Sequence, residues 1–206
     1  MKDKAFNKGL KKLQKDKDLN NLLSNMKVPT FPKEKNYFQS LIKYIIYQQL
    51  SLASAKSIYD RLLLLFKKNS FTPKNFKKIS SNKIFEVGVS RPKIKYMNEV
   101  AETFIKEKNY LKNLDNLSDN AIIESLIKIK GIGPWTAEMF LMFTLNRLDI
   151  FPLKDLGIKK GMQQLYKLDK IPSDEYMIKK SNNWSPYRTI ASLYLWKLID
   201  GNNFDW

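Results

Sequence analysis

Apolar residues along this chain recur mostly at three- and four-residue spacing, which places them on one stripe of a helix. Residues 36–50 put Phe38, Leu41, Ile42, Ile45 and Ile46 on such a stripe. Ser51 then suits the N-cap of a helix over 52–66, and Thr72-Pro73 reads as a cap followed by a first-turn proline. Ser81 opens a short helix that stops at Gly88, and Ser90 opens a longer one over 91–107 with Ile94, Met97, Val100, Ala101 and Phe104 in register. Ser118 caps a helix ending near Gly131, and Pro134 opens the next, to Asn146. Further helices are predicted over 156–166, 173–181 and 186–199, the last opened by Ser185-Pro186. Sustained strand-like alternation, internal repeats and low-complexity linkers are absent. The pattern predicts an all-α fold of two helical lobes divided near residues 110–118. Residues 1–35 read as a lysine-rich, partly helical segment that packs loosely, with Leu10, Leu13, Leu19, Leu22 and Leu23 available as anchors; 36–206 is the main domain.

Composition adds limits. A chain of 206 residues, 43% hydrophobic and 13% aromatic, can bury a core without staples and is not a disordered chain. Cysteine is absent, which excludes disulfides and thiolate-bound clusters. Histidine is absent too, which removes the usual general base and the usual zinc ligand. Any catalysis therefore rests on carboxylates, lysines, tyrosines or the backbone. The net charge of +17 suits a polyanion such as nucleic acid. However, the arginines are only Arg61, Arg91, Arg147 and Arg188, and Asn and Ile are frequent. A biased genome composition gives the same picture, so charge alone does not decide. The N-terminus has no apolar core of a signal peptide, and runs such as 62–66 fall far short of a membrane span. The expectation is a soluble, intracellular monomer with no membrane partner, located in the cytoplasm at the nucleoid if bacterial.

One segment carries specific chemistry. Residues 126–137 read Leu-Ile-Lys-Ile-Lys-Gly-Ile-Gly-Pro-Trp-Thr-Ala: a helix end, a tight Gly131-Ile132-Gly133 turn, and a proline opening a new helix. Glycines tolerate positive φ and let the backbone approach another group closely. The N–H groups of such a turn and of the following helix converge on one point, which suits a phosphate oxygen. Such contacts position a protein on nucleic acid without reading sequence.

The full string resembles the DNA-binding hairpin of the helix-hairpin-helix glycosylase superfamily. So do Ile46-Tyr47-Gln48-Gln49-Leu50-Ser51, Val87-Gly88-Val89-Ser90 before Lys93, and Trp184-Ser185-Pro186-Tyr187-Arg188, so the resemblance runs from residue 36 to 200. Within the superfamily, Gly-Ile-Gly-Pro-Trp-Thr-Ala-Glu-Met-Phe and Trp-x-Pro-Tyr-Arg look most like the DNA-3-methyladenine glycosylases. The resemblance implies two helical lobes with the active-site cleft between them, and double-stranded DNA carrying a damaged base as partner. It also implies monofunctional hydrolysis of the N-glycosidic bond of alkylated purines.

The same resemblance assigns residues. The single essential aspartate falls at Asp155, 22 positions after Gly133 in the stretch Phe151-Pro152-Leu153-Lys154-Asp155-Leu156-Gly157. Asp155 also reads as a helix N-cap, and the two roles are compatible. The hairpin implies DNA contacts from Lys130, Gly131, Ile132, Gly133 and Thr136. Gln49 falls where the family fills the gap left by the flipped base, with Gln48 and Leu50 as alternatives. Trp135, Trp184 and Tyr187 are candidates for a base pocket, while Trp196 and Trp206 read as structural. No cofactor is required; a structural sodium or potassium ion held by the carbonyls of Ile127, Ile129 and Ile132 is the optional addition. Bifunctional members carry a nucleophilic lysine where this chain has Trp135, with Lys154 as the weaker counter-candidate. The chain before residue 36 is too short for the extra N-terminal β domain of some members. The alternatives are a glycosylase of another base specificity, a non-catalytic hairpin DNA-binding protein, or a basic RNA-associated protein.

Overall fold

The structure is a computed structural model that describes residues 2–26, 36–67, 70–107 and 116–201. The described residues hold α-helices with short 3-10 and π turns, and no strand. They divide into two compact units, Lys33–Leu145 and the pair Met1–Pro32 with Asn146–Trp206. The division therefore lies at 32/33 and 145/146 and not near 110–118. The physical reason is long-range packing. The N-terminal helices bury their apolar stripe against the C-terminal helix, a pairing that no local pattern encodes.

In the unit Lys33–Leu145 the helices are α3 (Tyr37–Tyr47), α4 (Leu52–Leu63), α5 (Pro73–Phe76), α6 (Ser81–Glu86), α7 (Arg91–Lys106), α8 (Asp119–Leu126) and α9 (Pro134–Met139). Helix α3 lies at the centre. Phe38, Leu41, Ile42, Tyr44, Ile45, Ile46 and Tyr47 are all buried, so it is covered on nearly every face. Phe38, Phe66, Phe71 and Phe76 form an aromatic cluster, with Phe66 and Phe71 ring centroids 4.3 Å apart. Helix α9 runs into a π turn, Phe140–Thr144, whose side chains are all buried. There the Tyr44 hydroxyl and Thr144 Oγ1 lie 3.0 Å apart and satisfy each other.

The other unit holds α1 (Lys2–Leu13), α2 (Lys17–Asn25), α10 (Leu156–Leu165), α11 (Asp174–Ser181) and α12 (Arg188–Asp200). Helix α12 is its core, with Thr189 to Trp196 buried without a break. Helix α10 approaches it through Gly161, where a Cβ would stand 2.7 Å from the Leu195 carbonyl oxygen. The described N-terminal residues, 2–26, are not loosely packed. Leu13, Leu19, Leu22 and Leu23 are buried, each contributing about 1.5–3 kcal/mol, and only Leu10 of the anticipated anchors is half-exposed. Lysines occupy the outward face, which is why the segment reads as hydrophilic in bulk.

Helix boundaries shift where side chains intervene. Helix α6 starts at Ser81 as read, with Ser80 as its cap through an Oγ that accepts the Lys83 N–H, but it ends at Glu86, two residues before Gly88. Helix α8 stops at Leu126, because Lys128 and Ile129 bond three residues back and tighten the chain into a turn. Helix α12 starts at Arg188 and not Pro186, because Asp149 accepts the Arg188 N–H at its start.

Candidate functional site

The hairpin sits in the unit Lys33–Leu145. Its turn is closed by the Ile132 N–H on the Ile129 carbonyl at 3.0 Å. Gly131 has φ +95°, and a Cβ there would lie 2.1 Å from Cγ of Tyr96, so both the backbone and the packing demand glycine. Gly133 is different. Its φ of −96° and ψ of 176° suit any residue, and a Cβ would meet nothing within 4 Å. The protein's own packing gives no reason for glycine at 133. Gly133 is also the N-cap of α9 and offers no side-chain cap to its first N–H groups.

The end of α3 is tied to this hairpin. Gln48 Nε2 donates to the Gly131 carbonyl at 3.0 Å and to Thr136 Oγ1 at 2.9 Å. Gln48 is therefore turned inward, and Gln49 is the exposed residue, with φ +57° in the left-handed region. Leu50 beside it is 41% exposed. Thr136 and Ile132, read from the sequence as DNA-facing, have buried side chains. Their contributions at a surface are limited to backbone groups, and the Thr136 hydroxyl is engaged with Gln48. Lys130 is exposed and Trp135 half-buried. Ile129 and Ile132 are buried and Ile127 is exposed. Lys93 Nζ donates to the carbonyls of Ile46 and Gln48, each at 2.7 Å, and burial pushes its pKa down.

The second unit carries Asp155, Trp184 and Tyr187. Asp155 caps α10: its Oδ1 accepts the Ile158 N–H at 2.8 Å and also the Trp196 indole N–H at 2.8 Å. The adjacent Gly157 lies under the same indole, where a Cβ would be 2.7 Å from Trp196 Cδ1. Trp196 was assigned to packing by the sequence reading, and its link to Asp155 is what that reading missed; the residues are 41 apart and no local signal pairs them. One turn beyond, partial desolvation and then the negative charge of Asp155 hold the Asp200 carboxyl above the usual range. Lys154 is an exposed cation paired with Asp174, which Lys159 also contacts at 3.0 Å.

Trp184 is fully buried, donates its indole N–H to Asp16 at 3.2 Å and packs edge-on against Phe151. It is a core residue of its unit, so the expected stacking face is turned inward. Tyr187 is half-buried beside α1, with Lys12 Nζ 5.9 Å from its ring centroid and donating to the Ser185 carbonyl. The intervening turn is fixed by Asp149, which takes Arg188 Nε and Nη2 at 2.8 and 3.0 Å and Ser185 Oγ at 2.9 Å. Burial pushes the Asp149 carboxyl up, but the hydrogen bonds and charge of Arg188, with Ser185, outweigh it and hold it below the usual range. Trp206 lies outside the described residues.

An all-α protein with a glycine hairpin open to an anion, an exposed left-handed turn tied to it and a helix-capping carboxylate belongs to the hairpin class of nucleic-acid-binding proteins. More narrowly, the chain belongs to the HhH-GPD superfamily of base excision DNA repair proteins, whose profile matches residues 42–186. It is 36% identical over 183 residues to DNA-3-methyladenine glycosylase 1 of Schizosaccharomyces pombe, covering 88% of this chain and 80% of that protein. A solved 3-methyladenine DNA glycosylase of the same yeast, in complex with abasic DNA, superimposes with a TM-score of 0.87 at 31% identity, covering 97% of this chain and all of that one. A DNA-3-methyladenine glycosidase from Bacillus halodurans gives a TM-score of 0.75 at 34% identity, covering 92% of this chain and 88% of that one. Among the described residues no helix is long and apolar enough to cross a membrane, and no group of His, Cys, Asp or Glu is arranged to hold a metal ion.

Proposed function

We propose that this protein is a monofunctional DNA glycosylase that removes alkylated purines, 3-methyladenine above all and 7-methylguanine with it, with Asp155 as the catalytic carboxylate. The observation that carries the reading is the fixed carboxylate of Asp155, held by two N–H donors at a helix start in a chain of this family. In the reaction the bond from C1′ to the base nitrogen breaks, and its electron pair leaves with the base. The sugar becomes an oxocarbenium ion, and water adds at C1′ and gives up a proton. One water is consumed; free base and an abasic sugar result. An ionised carboxylate about 4 Å from that cation, at an effective dielectric near 20, is worth about 4 kcal/mol. That is roughly a thousandfold in rate.

A single carboxylate suits a leaving base that is already cationic and needs no proton from a general acid. Trp135 in one unit and Tyr187 in the other are each half-buried aromatic rings of the kind that suits such a base; buried Trp184 supports the turn that carries Tyr187. Gly133 and its neighbouring N–H groups, with Lys130, take phosphate, and Gln49 enters the space the base vacates. The carbonyls of Ile127, Ile129 and Ile132 are neutral hard oxygens on one turn. They suit sodium or potassium, and the Ile129 oxygen keeps a lone pair beyond its bond to Ile132. Such an ion would stiffen the turn and take no part in bond cleavage.

The test is Asp155→Asn. Asn keeps a carbonyl oxygen for Ile158 and Trp196 and caps nearly as well, so folding and DNA binding stay near wild type while single-turnover release of 3-methyladenine falls about a thousandfold. A variant within tenfold of wild type removes Asp155 from the mechanism. Robust release of 8-oxoguanine with none of 3-methyladenine overturns the specificity. A borohydride-trapped protein–DNA adduct overturns monofunctional action and points to Lys154.

A further inference from the structure

We infer that Lys93 is the positioning residue of the base-extruding turn: its ammonium clamps the end of α3 so that Gln49 is presented at a fixed offset from the hairpin. The inference rests on the proposed role of Gln49 as the group that enters the duplex.

Lys93 is placed where a lysine is otherwise unfavourable. It is the third residue of α7, at the positive end of that helix's dipole, and it is half-buried. Burial lowers its pKa, and among the described residues no carboxylate forms an ion pair with it. What it has instead are two carbonyls of another helix, Ile46 and Gln48, both at 2.7 Å. Those oxygens belong to the negative end of α3, where the last carbonyls lack helical donors.

The clamp bears on a strained turn. Gln49 follows directly with φ +57°, a left-handed conformation that is costly for an L residue. Gln48 is held at both ends: its carbonyl by Lys93, and its side-chain amide on Gly131 O and Thr136 Oγ1. One residue thus links the lysine of α7, the exposed Gln49 and the phosphate-facing hairpin. A phosphate gripped at the hairpin then sets where Gln49 stands, and the energy of backbone binding is applied to pushing a base out of the stack.

The test is Lys93→Met, which keeps the aliphatic stem and removes the donors, compared with Gln49→Ala on three duplexes. These carry the lesion in a normal pair, the lesion opposite an abasic gap, and a tetrahydrofuran abasic analogue. The expected result is a loss of tenfold or more in single-turnover release from the paired lesion and a loss under threefold from the unpaired one, with affinity for the abasic analogue within twofold of wild type. Lys93→Arg, which retains charge and donors, recovers most of the rate. An equal loss on paired and unpaired lesions overturns the inference, since a merely structural lysine affects both alike. If Gln49→Ala shows the paired-lesion defect and Lys93→Met does not, the inference fails while the role of Gln49 stands. If Gln49→Ala shows no such defect, the role of Gln49 and the inference fall together. Should Lys93→Met fail to fold, Gln48→Leu cuts the link to the hairpin and must give the same selective loss.

Discussion

Gly131→Ala and Gly133→Ala each add one methyl group to the same hairpin, and the two methyls meet different surroundings. At Gly131 the backbone has φ +95°, and the new Cβ would stand 2.1 and 2.2 Å from Cγ and Cβ of Tyr96. Those atoms are the base of the tyrosine and cannot swing aside without moving α7. The left-handed backbone costs about 1–2 kcal/mol, and overpacking about 1–3 kcal/mol more. In a chain of this size that lowers Tm by roughly 10 °C. At Gly133 the extended backbone accepts alanine and the methyl meets no protein atom within 4 Å, so Tm moves little. The methyl instead occupies the space a phosphate needs. Loss of a charge-assisted N–H bond to phosphate costs about 1.5–3 kcal/mol, roughly 10- to 150-fold in affinity. Thermal melts of both variants, with fluorescence anisotropy on an abasic-analogue duplex at one fixed salt concentration, separate the two effects. Equal destabilisation by both substitutions, or wild-type affinity for Gly133→Ala, refutes the argument that glycine at 133 answers to an outside group.

Trp196→Phe removes the indole donor to Asp155 Oδ1 while keeping an aromatic ring; single-turnover base release falls about 10- to 100-fold with duplex affinity unchanged, and a rate within threefold of wild type denies the hydrogen bond a role. Asp149→Asn destabilises the protein in a pH-dependent way. The folded carboxyl lies below its unfolded value, so its stabilisation is full above the unfolded pKa of about 3.9 and is lost as pH falls through the folded value. The gap in Tm between wild type and variant therefore narrows from pH 7 toward strongly acidic pH, and a constant gap contradicts the role assigned to Arg188 and Ser185.

The sequence by itself determined the all-α class, most helix boundaries and the hairpin. Each follows from short-range rules: Ser51, Thr72, Ser118, Ser173 and Asp155 cap helix starts through their side chains, because a cap satisfies N–H groups only two or three residues away, while Ser90 stands at a helix start without such a bond. The candidate aspartate and the Gln48-Gln49-Leu50 stretch at the end of α3 were legible from family-like phrases of a few residues, but the left-handed backbone of Gln49 was not. Only the tertiary structure decided which side chains face out. Gln48 turns inward to Gly131, 83 residues away, leaving Gln49 exposed. Trp184 disappears into a core closed by Asp16, 168 residues earlier, and Trp196 reaches Asp155 across 41. The same long-range packing joins the first helices to the last and sets the unit boundaries at 32/33 and 145/146. An indole looks alike in sequence whether it packs, stacks or donates, because its partner is chosen by how helices meet, and that depends on the whole set of buried stripes.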